Sequence, residues 1–171
     1  VAIATGSDGQ VLTSTGAGSP PAFEAAAAGG KVLQVVYGYD ATETTISGSS
    51  LIATGLTATI TTSAANSKVL VLVSQMGISK TVGSGANTCI TIKLHQDSTA
   101  VKSLSLYLGY TGNLMNTRYS GVSGTYLSAT VSSAGTSIVF STKALITTGG
   151  GNMSTEANGT ESTITLIEVS A

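Results

Sequence analysis

The amino-acid sequence predicts an all-β fold, an antiparallel β-sandwich of jelly-roll-like type, with an extended N-terminal connector. Three observations predict it. Apolar and polar residues alternate with a period of two in one segment after another, and amphipathic helical periodicity is almost absent. Ser, Thr and β-branched residues, which favour strands, are abundant. Short Ser/Gly/Asn turns separate the segments, with no interleaved helices that would support a parallel sheet.

Eight segments carry the strand pattern, and we expect one strand in each of 31–39, 56–62, 67–79, 88–97, 101–110, 124–132, 136–148 and 162–171. The run 69–73 is entirely apolar, so its strand should be central and covered on both faces. The stretch 149–161 should form one polar loop, and the last strand should dock into a sheet. The sandwich domain therefore spans 31–171, and 1–30 is the connector.

The charge content limits the classes of function. Charged residues make up 9% of the chain, against about 25% in ordinary soluble domains, and the net charge is −1. A surface so poor in charge favours an oligomer that hides part of it. The seven Lys and Arg residues are scattered, which argues against nucleic-acid binding. No apolar run is long enough to insert into a membrane.

Metal and cofactor chemistry is not expected. The chain has one His and one Cys, too few for a zinc or iron site within one chain. A trimer could bring three copies of His95 together, but we interpret His95 as a solvent-facing residue beside Gln96 and Asp97 at a turn. Cys89 lies inside an apolar–polar alternation, so it should be a small buried hydrophobe.

Catalysis is not expected either, and no catalytic residue is assigned. A glycosidase needs two carboxyls about 5–10 Å apart in a groove. The acid pairs Asp40/Glu43 and Glu156/Glu161 are more simply solvated turn charges, and the chain has no Trp to stack on a sugar. No Ser lies in a nucleophile-elbow pattern. An enzyme that degrades surface polysaccharide is therefore the disfavoured alternative.

Surface recognition remains, and the segment from Tyr107 to Tyr126 concentrates the residue types suited to it. Tyr and Arg give rigid, amphipathic contact area at binding surfaces. The alternative is that these tyrosines cover a sheet edge or fill a subunit interface. The candidate receptor-binding residues are Tyr107, Tyr110, Asn113, Asn116, Arg118 and Tyr119.

The connector holds the most distinctive motif, GSDGQVLTSTGAGSPPAF, which begins at Gly6 and ends at Phe23. It resembles the Gly-x-x-Gly-Gln-Val-Leu-Thr-Ser-x-Gly-x-Gly-x-x-Pro connector of tail fibres and related structural proteins of marine and cyanobacterial phages. There it often precedes a C-terminal β-domain. The start, middle and end of that domain resemble three further segments of this chain, in order GKVLQVVYGY, TGLTATITTSAANSKVLVLVS and STITLIEVSA.

The resemblance implies a non-enzymatic, homotrimeric protein of the virion surface. The leading function is a tail-fibre tip that binds a host-surface glycan or protein. The alternative is a capsid decoration or head-fibre protein that docks on the phage shell. Its partners would be copies of itself and a fibre shaft or a capsid. In either case the connectors of three copies could pack around a common axis. Their apolar residues Val11, Leu12 and Phe23 would then form a narrow core.

Overall fold

The computed structural model describes residues 5–25, 31–80, 87–110 and 118–170, without the side chains of 118–120. These residues form twelve β-strands, one 3₁₀ turn (Ala157–Gly159) and no α-helix. The strands are β1 (Gln10–Thr13), β2 (Ala22–Ala25), β3 (Val32–Asp40), β4 (Thr44–Ile46), β5 (Ile52–Thr61), β6 (Lys68–Lys80), β7 (Cys89–Gln96), β8 (Thr99–Leu108), β9 (Arg118–Leu127), β10 (Ser137–Thr148), β11 (Met153–Thr155) and β12 (Ser162–Val169).

Two antiparallel sheets make up the body of the fold, which confirms the predicted β-sandwich. The four-stranded sheet has the order β5-β10-β7-β8. In the six-stranded sheet β6 is central: β9 pairs with one edge, and the other edge pairs with β12 along its first half and with β11 at its end. Beyond these, β3 pairs with β12 and β4 with β11. The finer jelly-roll topology stays a prediction.

Alternation explains why the central strands bury one face. In β12, Ile164 and Leu166 point into the core and are fully buried, while Thr163 and Thr165 point outward. In β6, Val71 is buried in the same way, but its neighbour Leu72 is 38% exposed. The prediction that the run 69–73 is central is confirmed. The prediction that it is covered on both faces is wrong for the single chain, because the second sheet covers only the inner face.

The core between the sheets consists of two hydrophobic clusters. The larger combines residues such as Leu56 and Phe140 of the four-stranded sheet with Val71 and Leu166 of the six-stranded sheet. The smaller lies at the other end of the sandwich and contains Ile46, Ile78, Ile90, Ile92, Ala144, Ile146 and Met153. Contacts of this kind from both inner faces are what holds a sandwich together.

Three elements differ from the sequence prediction. The strand expected at 124–132 begins earlier and ends at Leu127, as β9. The stretch 149–161 is not simply a polar loop, because it contains the buried strand β11. Its backbone is drawn inward by pairing with β4 and β6 and by a hydrogen bond from the Glu156 nitrogen to the Met76 oxygen (3.0 Å). Strand β4 was not predicted.

The chain divides into two compact units, Val1–Lys31 and Val32–Ala171. The described part of the first unit is a β-hairpin of β1 and β2, which the sequence analysis did not predict. An isolated two-stranded hairpin is marginally stable in water at best. Pairing between its own two strands therefore gives this hairpin little stability.

Candidate recognition site

An irregularity in β8 creates the clearest surface feature among the predicted recognition residues. β8 is an edge strand of the four-stranded sheet, and its pairing with β7 shifts between the pairs Ile92–Ser105 and Ile90–Leu108. The two residues between them, Leu106 and Tyr107, both face solvent, although neighbours in a regular strand point to opposite faces. We call residues 105–108 the β8 bulge. Bulges of this kind commonly re-aim side chains at the rim of a sheet.

Tyr107 has an unusual backbone within this bulge. Its φ is +55°, a left-handed conformation that bulky residues rarely adopt and that costs about 1–3 kcal/mol. Its side chain is 57% exposed, so no burial offsets that cost. Tyr110 follows two residues after the strand, with its nitrogen donating to the Tyr107 oxygen at 3.4 Å. Tyr110 is 60% exposed as well. The turn therefore presents two phenol rings and Leu106 to solvent.

The remaining candidates are only partly described. Asn113 and Asn116 lie outside the described residues. Arg118 and Tyr119 begin β9, where they pair with Ser79 and Ile78 of β6, and their side chains are not described. Tyr126, another tyrosine of the predicted segment, is half-buried and packs against Phe140 with ring centroids 6.4 Å apart. Tyr126 is thus partly buried against the larger core cluster.

The three connector residues fall on two faces of the hairpin. Leu12 and Phe23 are directly opposite each other, so their side chains share one face. Val11 pairs with Glu24 and points to the other face. All three expose apolar surface, from 37% for Phe23 to 53% for Leu12. The docking role assigned to them stays a prediction, and the hairpin brings only Leu12 and Phe23 together.

A layer of polar side chains crosses the core between the two hydrophobic clusters. We call Thr54, Gln75, Thr142, Glu156 and Ser162 the polar layer. Gln75 is its centre: its side-chain oxygen accepts from Thr142 Oγ1 at 2.6 Å and from Thr54 Oγ1 at 3.4 Å. Its side-chain nitrogen donates to Glu156 Oε1 and to Ser162 Oγ. The layer joins the two sheets by hydrogen bonds where the rest of the core uses apolar contact.

Glu156 is a fully buried acid within this layer, so its interpretation as a solvated turn charge is wrong. Burial, together with the nearby Asp40 carboxylate, raises the pKa of its carboxyl from 4.5 to about 7. Hydrogen bonds such as that from Gln75 act in the opposite direction. A carboxyl enclosed in this way can hold a proton near neutral pH. A polysaccharide chain in solvent cannot reach it.

His95 is also placed differently from the prediction. It points outward from the inner strand β7 but is only 4% exposed, with Ser141 and Ala100 beside it on the neighbouring strands. Burial lowers the pKa of the His95 ring, and the cations of Lys143 and Lys93 lower it further. The prediction of a solvent-facing His95 is therefore wrong. Cys89 is fully buried with a free thiol, which confirms its interpretation as a small hydrophobe.

Among the described residues, no group of three or more His, Cys, Asp and Glu side chains is arranged to hold a metal ion. In the same part of the chain, no helix has the length and apolarity that a membrane span requires.

No protein-family model matches the chain, and no curated protein matches it.

Proposed function

We propose that this chain is the recognition domain of a trimeric, non-enzymatic virion surface protein, the tip of a phage tail fibre. The observation that carries the proposal is Tyr107, an exposed aromatic residue in a strained backbone conformation at a sheet edge. Strain without compensating burial is characteristic of sites that serve binding. The resemblance of the connector to those of phage fibres supplies the biological setting.

The ligand would be a glycan or protein on the host surface. Tyr107 and Tyr110 offer flat amphipathic rings, which stack on the apolar faces of sugars and pack against protein side chains alike. An edge strand also leaves backbone groups free to bind an extended partner. The jelly-roll topology belongs to this proposal, as does the position of the domain at the virion exterior.

A second candidate is a capsid decoration or head-fibre protein. The exposed pair Leu12 and Phe23 favours it, because a hairpin that carries apolar residues on one face can dock against a shell. Polysaccharide degradation is not proposed, since Glu156, the described acid with a raised pKa, is enclosed by the core.

Cell binding tests the proposal. The full chain would carry a fluorescent label and be titrated onto marine cyanobacterial cells, alongside Tyr107→Asn, Tyr110→Ala and the double variant. Asn tolerates a positive φ, so Tyr107→Asn removes the ring and keeps the backbone. Val139→Ala is the matched control, an exposed apolar residue (38%) on the same sheet.

We expect each tyrosine change to weaken binding about tenfold or more, as for hot-spot aromatics, and the control to bind like the wild type. Equal binding by the double variant and the wild type would refute the assigned site. If the wild type binds empty phage capsids and does not bind cells, the protein is a capsid decoration or head-fibre protein and not a fibre tip.

A further inference from the structure

Within the described part of Val32–Ala171, no layer covers the outward face of the six-stranded sheet where β3, β12, β6 and β9 lie side by side. We call the outward residues of this block, alongside Lys68–Ser74 of β6, the outer face. One row across it joins Val35, Ile167, Leu70 and Leu127, each directly opposite the next. Tyr37 and Leu72 lie in the adjoining row, on either side of Thr165.

These side chains are apolar yet accessible. Val35 is 59% exposed, Tyr37 56% and Leu127 50%. An antiparallel sheet with one free face normally carries polar residues on it. Here both faces of β6 are apolar, as in a strand buried on both sides, while the described residues of Val32–Ala171 cover only one. A further layer from a partner molecule would bury this second apolar face.

The scarcity of charged residues on the outer face indicates what kind of molecule would cover it. In this fully described block, Lys68 is the one charged residue at an outward position, and it lies at the margin. Glu161, just before β12, lies beside the block and accepts a hydrogen bond from the Tyr37 hydroxyl at 3.2 Å. Tyr and aliphatic residues without charge are typical of the buried centre of an interface. Residues that lie on a threefold axis meet their own copies, so a charge there would face a like charge. A face that carries its charges only at the margin avoids that repulsion.

The size of the outer face agrees with a subunit contact. Strands about 4.8 Å apart and outward residues about 6.8 Å apart along each strand give it about 500 Å². A specific interface buries about 800 Å² on each partner. The outer face alone therefore supplies more than half of the area that a stable contact between copies needs.

We infer that the outer face is the surface through which copies of this chain associate, three of them enclosing a common apolar core. The inference rests on the trimer of the proposed function and names the surface that forms it. The uncharged composition and the area of the outer face favour a second copy as the occupant.

Sedimentation velocity of the full chain at micromolar concentration tests the inference. Leu72→Glu places a charge at the centre of the outer face. Val139→Glu is the matched control, because Val139 has the same 38% exposure on the outward side of the other sheet. Leu127→Glu, on the edge of β9, is a second variant should the central one not fold. Circular dichroism verifies that each variant retains its β-structure.

We expect the wild type and Val139→Glu to sediment as trimers, and Leu72→Glu and Leu127→Glu as folded monomers, with association weakened at least a hundredfold. Folded outer-face variants that remain trimers would overturn the inference, and cell binding by them would leave the proposed function intact. A monomeric wild type would overturn both the inference and the trimer. A third outcome is that the outer-face variants dissociate while the wild type binds no cells. That outcome would support the outer face as the subunit interface and refute the proposed function as a fibre tip.

Discussion

The hydroxyl of Thr142 donates to the side-chain oxygen of Gln75 at 2.6 Å, joining β10 of one sheet to β6 of the other inside the core. The side-chain nitrogen of Gln75 in turn donates hydrogen bonds to Glu156 and Ser162. A buried network of this kind rigidifies a core when its members are satisfied and is costly when one is removed. Its central member is therefore the place to test it.

Gln75→Leu should destabilise the domain by about 2–4 kcal/mol, because it leaves the Thr142 hydroxyl and the Glu156 carboxyl without their shared partner. Urea unfolding followed by circular dichroism measures the change. Ser74→Ala is the control, since Ser74 lies next to Gln75 but points outward, and its effect should be within about 0.5 kcal/mol. Equal midpoints for Gln75→Leu and the control would show that the polar layer does not support the fold.

Glu156→Gln should remove a pH dependence of stability. The folded-state pKa of Glu156 is raised from 4.5 to about 7, so its stabilising contribution is complete below about pH 4.5 and is lost as the pH rises to 7. At about 1.4 kcal/mol per pKa unit, the loss is at most about 3.5 kcal/mol. The variant, which mimics the protonated acid, should be more stable than the wild type at pH 8 and similar at pH 4. Unfolding free energies at both pH values test this, and an unchanged difference between the proteins would contradict it.

Glu168→Gln should act in the opposite pH range. Burial alone would raise the pKa of Glu168, but donors including Ser67, Gln34 and Ser63 outweigh it and lower the pKa to about 2. The contribution of this carboxylate is therefore present above about pH 4.5 and is lost as the pH falls through 2. Its oxygens accept from the Ser63 and Ala64 nitrogens at 2.9–3.2 Å. We expect the variant to lose about 2–3 kcal/mol at pH 7 and little at pH 2. A loss of equal size at both pH values would rule out the charged form as the cause.

Gly77→Ala should destabilise the domain by more than about 2 kcal/mol. Gly77 has φ +64°, and a Cβ there would lie 2.5 Å from the Ala157 nitrogen. Gly135→Ala is the matched control, with φ +78° and open space around the added atom. The control should show only the cost of the left-handed backbone, about 1 kcal/mol. Thermal unfolding of the two variants separates the steric cost from the conformational one, and equal losses would mean that the turn at Ala157 yields to the methyl group.

Tyr107→Gly should separate stability from recognition. Glycine adopts φ +55° without steric cost, and the exposed ring contributes little burial, so the variant should be as stable as the wild type or about 1 kcal/mol more stable. Its binding to cells should fall as in Tyr107→Asn. Chemical denaturation and the cell titration give the two values. A clear loss of stability would show that the Tyr107 ring serves the fold.

The sequence predicts the sheets well because most strands show their periodicity locally. The alternation of Ile164 and Leu166 with Thr163 and Thr165 is enough to place β12 with one buried face. The polar layer is different, because Thr54, Gln75 and Thr142 are far apart along the chain and meet only in three dimensions. The one available signal is that each stands where its strand should place an apolar residue, as Gln75 does two residues after Val73.

Two further features could not be predicted from composition. The polar stretch 149–161 suggested exposure, yet hydrogen bonds from Gln75 and to Met76 bury Glu156 within it. The β8 bulge is hidden in the sequence because the spacing of leucines through Leu104, Leu106 and Leu108 fits a regular strand. Only the pairing of β8 with β7 reveals that the side chains of Leu106 and Tyr107 both face solvent.

The position of β12 has a consequence for how the protein is made. β12 lies between β3 and β6, so strands separated by some thirty residues of chain are bridged by the last one to be synthesised. The six-stranded sheet cannot close until Val169 has left the ribosome. Until then β3 and β6 each lack this neighbour and have unpaired edges, which are the kind of surface that promotes association between incompletely folded chains.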